Sequence, residues 1–147
     1  MRVILLADAG PLITLAYADS LDILFAPGWT VQLADMVQFE VTRNQTPTNQ
    51  KIADWIEKNN IEVLESDIYQ RYQTALSDGK SPRKNNLGEL ATQEIMNQFV
   101  LKEPPQTGVF LFEDHKIART SFVLPESCRK ISTRAFLTFL EQIYTWQ

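Results

Sequence analysis

Four acidic residues, Asp8, Glu40, Glu89 and Asp114, occupy places in the chain where a carboxylate could do chemistry, and Glu113 is a fifth candidate. Asp8 and Asp114 each follow a continuous apolar run, Val3 to Ala7 and Val109 to Phe112, of the kind that forms a buried strand. Glu40 comes three residues after Val37, which sets it near the apolar face of its predicted helix rather than opposite it. Glu89 falls in the first turn of another predicted helix. Carboxylates gathered in one crevice repel each other, and a hard divalent cation relieves that repulsion. Mg²⁺ characteristically takes a few carboxylates, waters and phosphate oxygens, which suits metal-assisted cleavage of a phosphodiester. Each acid also has a plainer reading. Asp8 could cap the helix that follows it, and Glu89 could complement its helix dipole.

The elements that must position these acids alternate between strand and helix. Gly10-Pro11 turns the chain sharply after the first strand, and the proline suits the first turn of a helix carrying Leu12, Leu15 and Ala16. Leu21 to Phe25 forms a second short helix or an apolar turn, closed by Pro27-Gly28. Trp29 to Leu33 is the second strand, and Asp35 caps a helix through Met36, Val37, Glu40 and Val41. Asn44 to Gln50 reads as a loop, followed by a helix from Lys51 to Lys58 and a third strand from Ile61 to Leu64. Ser66-Asp67 starts a helix with Ile68, Tyr72, Ala75 and Leu76 facing inward. A polar loop from Ser77 to Asn86 carries Lys80, Arg83 and Lys84. It feeds a helix from Leu87 to Leu101 with Leu87, Leu90, Ala91, Ile95 and Phe99 on its buried stripe.

After the strand from Val109 to Phe112, His115 to Arg119 makes a short helical turn and Phe122 to Leu124 a last strand. Ser132 or Thr133 caps a terminal helix whose apolar content predicts packing on two sides, part of it against a second subunit or a partner. This alternation implies an α/β fold with a mainly parallel central sheet of four to five strands. A strand order of 3-2-1-4-5 would turn Asp8 and Asp114 toward one crevice at a topological switch point.

Bulk composition narrows the possibilities without choosing among them. A chain of 147 residues is expected to form a single domain, and 44% hydrophobic and 22% charged residues are ordinary for a globular protein. The formal charge of −4 argues against wrapping nucleic acid by bulk positive charge, although a metal site would neutralise several acids locally. The single cysteine, Cys128, cannot form an internal disulfide and reads as a packing residue. No run reaches the ~18 apolar residues of a membrane span, so a cytoplasmic protein is the expectation. A Gly-rich phosphate loop, a zinc-spaced Cys/His cluster and a G-x-S-x-G elbow are all missing.

The acids sit within four short motifs that resemble, in order, those of PIN-domain proteins. Leu6-Ala-Asp8-Ala-Gly-Pro-Leu-Ile13 is similar to the opening D-x-[SG]-P-L-I, and Met36-Val-Gln-Phe-Glu40-Val to the second motif. Leu87-Gly-Glu89-Leu-Ala resembles the GE-x-x-A helix start, and Leu111-Phe-Glu-Asp114 the end of strand four. The likeness runs from Met1 to about Leu124 and is nearest to small prokaryotic PIN proteins, including VapC-type toxin ribonucleases. It implies a three-layer α/β/α PIN-like fold over residues 1–147 and a Mg²⁺- or Mn²⁺-dependent ribonuclease. Asp8, Glu40, Glu89 and Asp114 would be its metal-binding and catalytic residues. Asp8 and Asp114 would hold the ion directly, and Glu40 and Glu89 would complete its shell. An antitoxin partner and a homodimer go with the same resemblance. Ala9 and Gly10 stand where many relatives carry a Ser or Thr, and Asn86 where many carry an acid. The other reading is therefore a weakly active or inactive PIN-like interaction module, which the acidic pI and apolar last helix also suit. Arg43, Arg83, Lys84, Lys116 and Arg119 could track an RNA backbone. His115 reads as a surface histidine, and Trp29, Trp55 and Trp146 as core or interface residues.

Overall fold

The structure, a computed structural model, describes residues 2–83, 86–104, 106–113 and 124–145, with side chains up to residue 143. Asp114, His115, Lys116, Arg119, Phe122, Lys84 and Trp146 lie outside the described residues. The chain forms an α/β fold around a five-stranded, wholly parallel sheet in the order β3-β2-β1-β4-β5. The strands are β1 (Val3–Ala7), β2 (Thr30–Ala34), β3 (Glu62–Leu64), β4 (Thr107–Phe112) and β5 (Cys128–Ser132). The helices are α1 (Ala9–Tyr17), α2 (Asp35–Thr42), α3 (Pro47–Lys58), α4 (Asp67–Ser77), α5 (Leu87–Phe99) and α6 (Thr133–Thr145), with a 3-10 turn at Leu21–Phe25. Helices flank the sheet in a three-layer α/β/α arrangement, as the alternation of elements predicts.

β1 is central because its side chains are apolar on both faces, and Ile4 to Ala7 are all buried. Leu5 pairs with Val31 on one side and with Val109 on the other. From β1 the chain builds outward through β2 to β3, then crosses back through α4 and α5 to place β4 on the opposite side of β1. That reversal makes the carboxyl ends of β1 and β4 the switch point, with Ala7 in register with Leu111. Beneath it Phe110 and Phe112 stack at 5.4 Å, and α5 presses so closely on β4 that a Cβ on Gly108 would come within 2.7 Å of Met96 Cε and 3.0 Å of Cys128 Sγ. Cys128 is thus a buried packing residue, as its small size suggests.

Several local expectations are corrected. α3 begins at Pro47, inside the stretch read as loop, because Thr46 caps it by accepting from the Asn49 amide at 3.1 Å and a proline lacks the amide that the first turn leaves unused. The fifth strand of the sheet is Cys128–Ser132; of the stretch Phe122 to Leu124, read as the last strand, Leu124 is not in a strand and the other two residues lie outside the described residues. The strand lies at the sheet edge and points Arg129 and Lys130 outward, so it has no continuous apolar run to betray it. Leu76 and Leu90, expected inside, are exposed. The phase of α5 instead buries Gly88, Glu89 and Thr92. Within the chain α6 buries Phe136 and Leu140 and leaves Leu137 exposed, and Trp29 packs on Phe136 and Phe139. Ser132 caps α6, accepting from the Ala135 amide at 3.0 Å.

Asp35, at the end of β2, is buried and fully engaged. It accepts from the amides of Met36 and Ser66 and from the Ser66 hydroxyl, at 2.7 to 2.8 Å. Ser66 Oγ in turn accepts from the Tyr69 amide at the start of α4. Hydrogen bonds to a buried charge contribute more than neutral ones, and removing the acceptor strands its donors. Asp35→Ala is therefore expected to cost about 3 kcal/mol in urea denaturation, and Ser66→Ala about half of that.

Candidate metal centre

Asp8 occupies the N-cap position of α1 with an extended backbone, yet its side chain makes no capping hydrogen bond. The helix-cap reading of Asp8 therefore fails. Its backbone amide donates to Leu111 O at 2.9 Å, tying the end of β1 to β4, and the residue is only 2% exposed. A carboxylate there is held by the strand rather than spent on the helix. Its direction is visible at Gly88, where an added Cβ would lie 3.4 Å from Asp8 Oδ1 and 3.1 Å from Glu40 Oε1. Two carboxylate oxygens from β1 and α2 thus converge on one glycine in the first turn of α5. Val37 Cγ2 comes within 3.2 Å of the same point, so α2 crosses α5 at a tight contact that a methyl group would enter only by moving its neighbours a few tenths of an ångström.

Glu40 reaches this point because it follows Val37 by three residues and so shares its side of α2, as the helical spacing predicts. Glu89 is 9% exposed, more deeply placed than a dipole-complementing surface acid requires. Asn86, in left-handed backbone conformation at φ 63°, precedes α5 and brings Gly88 and Glu89 onto the inward side of its first turn. Thr92 donates to Gly88 O at 2.9 Å one turn later.

The structure brings one carboxylate oxygen of Asp8 and one of Glu40 to Gly88, the neighbour of the buried Glu89 in sequence. Among the described residues, no three Asp, Glu, His or Cys side chains stand close enough to hold a metal ion, and Asp114 is not among those residues. A pair of carboxylates is nevertheless a donor set that fits Mg²⁺ or Mn²⁺. These hard cations are bound by one or two protein carboxylates, with water and substrate oxygens filling the remaining positions.

Glu113 is turned toward α1. Its Oε1 accepts from the Thr14 hydroxyl at 2.8 Å, and its Cγ would lie 2.5 Å from a Cβ on Gly10. Gly10 is small because the Glu113 side chain crosses it, which gives a steric reason for the absent hydroxyl at that position. Neither the Glu113–Thr14 pair nor the close approach at Gly88 is readable from local pattern, although a glycine inside a helix turn is a signal of tight approach. Arg43 lies over the Phe39 ring at 5.8 Å, and Trp55 donates to Asp22 at 3.1 Å, so both take part in packing.

No protein-family model matches the chain, and no curated protein matches its sequence. The spacing at Gly88 carries its own test. A helical Gly→Ala exchange would by propensity add up to about 1 kcal/mol of stability, whereas here the new methyl presses on Glu40 and Val37, which must give by a few tenths of an ångström. Gly88→Ala is expected to stay folded, with stability within about 1 kcal/mol of wild type, while calorimetric affinity for Mn²⁺ falls about tenfold.

Proposed function

We propose that this chain is a Mg²⁺- or Mn²⁺-dependent ribonuclease on a PIN-like fold. The observation that carries the reading is the buried, non-capping Asp8 carboxylate at the sheet's switch point, meeting Glu40 over Gly88. In parallel α/β sheets the crevice at this edge is where ligands are taken. Asp8 and Glu40 are the residues that would hold the ion, Asp8 as the more rigid of the two because β1 and the Leu111 carbonyl fix its backbone. Glu89 would orient an ion-bound or attacking water from the first turn of α5. Asp114, which directly follows Glu113 in sequence, is the fourth position that the PIN resemblance assigns. A bound divalent ion supplies Lewis-acid stabilisation of charge on the scissile phosphate and lowers the pKa of water.

The chain's own contribution is position and charge. Asp8 and Glu40 bring two carboxyl groups to one glycine of α5, where they would hold a cation whose charge would attract a phosphodiester. Burial of Asp8 excludes bulk water from one side and strengthens each electrostatic contact there. No side chain is required as a covalent nucleophile. In cells, such an activity would belong to a cytoplasmic toxin ribonuclease restrained by an antitoxin or working as a homodimer.

A second reading, a non-catalytic interaction module, draws on the exposed apolar residues Ile13 and Tyr17 of α1, Tyr17 being 81% exposed. Divalent-ion titration separates the two, because the module needs no ion. For the enzyme, Asp8→Asn keeps the side chain's size and removes its charge. RNA cleavage should require Mg²⁺ or Mn²⁺, and Asp8→Asn should reduce it at least about a hundredfold, or about 2.7 kcal/mol, with an unchanged circular dichroism spectrum. Equal cleavage by wild type and Asp8→Asn, both freed of contaminating nuclease, would sink the proposal.

A further inference from the structure

One face of α1 is apolar and open to solvent. Ile13 and Tyr17 stand four residues apart on one stripe of the helix and are 43% and 81% exposed. The side chains that anchor α1, Leu12, Leu15 and Ala16, are buried in the core instead. Beside the stripe, the end of α1, the 3-10 turn and α3 enclose a hollow of about 300 Å³. The buried Ala16, Leu21 and Trp55 give it an apolar floor. Its rim is charged, with the exposed carboxylates of Asp19, Asp22 and Asp54 set against the Lys51 ammonium.

The chain itself holds this hollow in shape. The Ser20 amide donates to Leu15 O at 2.7 Å and the Asp19 amide to Ala16 O at 3.1 Å, which closes α1 with Asp19 in left-handed backbone conformation at φ 53°. The Trp55 indole donates to Asp22 Oδ1 at 3.1 Å and lies 5.5 Å from the Phe25 ring. Lys51 pairs with Asp19 Oδ1 at 2.7 Å, and Gln50 donates to Asp54 Oδ1 at 2.8 Å. Each rim carboxylate thus engages one oxygen within the chain. The other oxygen of each has no hydrogen-bond partner among the described residues.

Charge decides what such a face can take. Among the described lining residues, three carboxylates less one ammonium leave a net charge of −2 around the hollow. A phosphate backbone is repelled by it. A second copy is disfavoured as well, because a two-fold interface sets the patch against itself and like charge against like. A cationic side chain is favoured. Arginine brings flat, forked donors to carboxylate oxygens and stacks on aromatic rings, and an apolar neighbour in the same segment would cover Ile13 and Tyr17.

We propose that the α1 stripe and this hollow form a docking surface for a basic, amphipathic segment of a partner protein, with a leucine-like side chain on Ile13 and Tyr17 and an arginine in the hollow. The surface uses none of the acids at the switch point, so it goes beyond the metal-dependent reading and does not rest on it.

The test is NMR titration of the full chain with an end-blocked synthetic helix of alanine, leucine and arginine. Saturable shifts are expected at the Trp55 indole N–H and at the Ile13 and Tyr17 amides. The same peptide with glutamate for arginine should bind at least about tenfold more weakly. Tyr17→Ser should weaken the arginine peptide about fivefold or more. Asp22→Asn combined with Asp54→Asn, which keeps shape and acceptors and removes two charges, should weaken it about fivefold. Absence of saturable shifts with the arginine peptide would overturn the proposal, as would equal binding of the glutamate peptide. Affinities of both variants within twofold of wild type would do the same. A wild-type dimer in sedimentation equilibrium that Tyr17→Ser dissolves would overturn it by making the face a self-interface. Stronger shifts of the same signals by single-stranded RNA would overturn it in favour of a nucleic-acid surface.

Discussion

Burying the Asp8 carboxylate is the constraint on which the rest of the structure turns. A charge removed from water costs several kcal/mol unless something in the protein or bound to it offsets the loss. Asp8 is placed there because β1 must be central: its apolar run has two faces to cover, and only a strand with neighbours on both sides covers them. The chain meets this by building β2 on one side of β1 and returning through α4 and α5 to place β4 on the other. The first residue after the strand then falls at the reversal of strand order. Folding of the hydrophobic core and placement of the carboxylate are one event.

The spacing around Asp8 is set by small residues and by helix ends. Gly88 lets α5 come so near that Glu40 Oε1 and Val37 Cγ2 lie within 3.2 Å of where a methyl group would stand. Gly10 lets the Glu113 side chain cross α1 and reach Thr14. Asp35 and Glu94 fix α4 between α2 and α5 through its first amides. Each device uses a backbone property, either the missing Cβ or the unsatisfied amide, to hold an acidic side chain whose own packing would be too weak to hold it. Asp35 and Glu94 thus secure a helix start, whereas Asp8 stands at the switch point without capping α1.

The parallel sheet and its two buried strands, β1 and β4, were legible in the residues for a physical reason. Runs such as Val3 to Ala7 and Val109 to Phe112 are covered on both faces, and no other arrangement buries them. The parallel crossovers follow from the intervening helices. Elements with mixed surroundings were less legible. β5 presents Arg129 and Lys130 to water, and α3 begins with a proline that looks like a loop residue until Thr46 is seen to cap it. Leu90 belongs to the apolar pattern of α5 but faces solvent, because the helix is turned by its packing at Gly88 and Thr92.

For the candidate site, the local sequence by itself determined which acids follow buried strands and which share a helix side with apolar residues. Asp8 and Glu40 could be named on that basis, since strand ends and helical periodicity are local properties of the chain. Whether Asp8 caps a helix or points elsewhere is decided by side-chain direction. Whether Asp8 and Glu40 meet depends on residues separated by β2 and α2 in the chain. Only the tertiary structure supplies those answers: the absent capping bond, the shared space at Gly88, and the turning of Glu113 toward Thr14. Local spacing constrains what a side chain can reach along its own element, whereas convergence requires the crossing of separate elements, and packing alone sets that crossing.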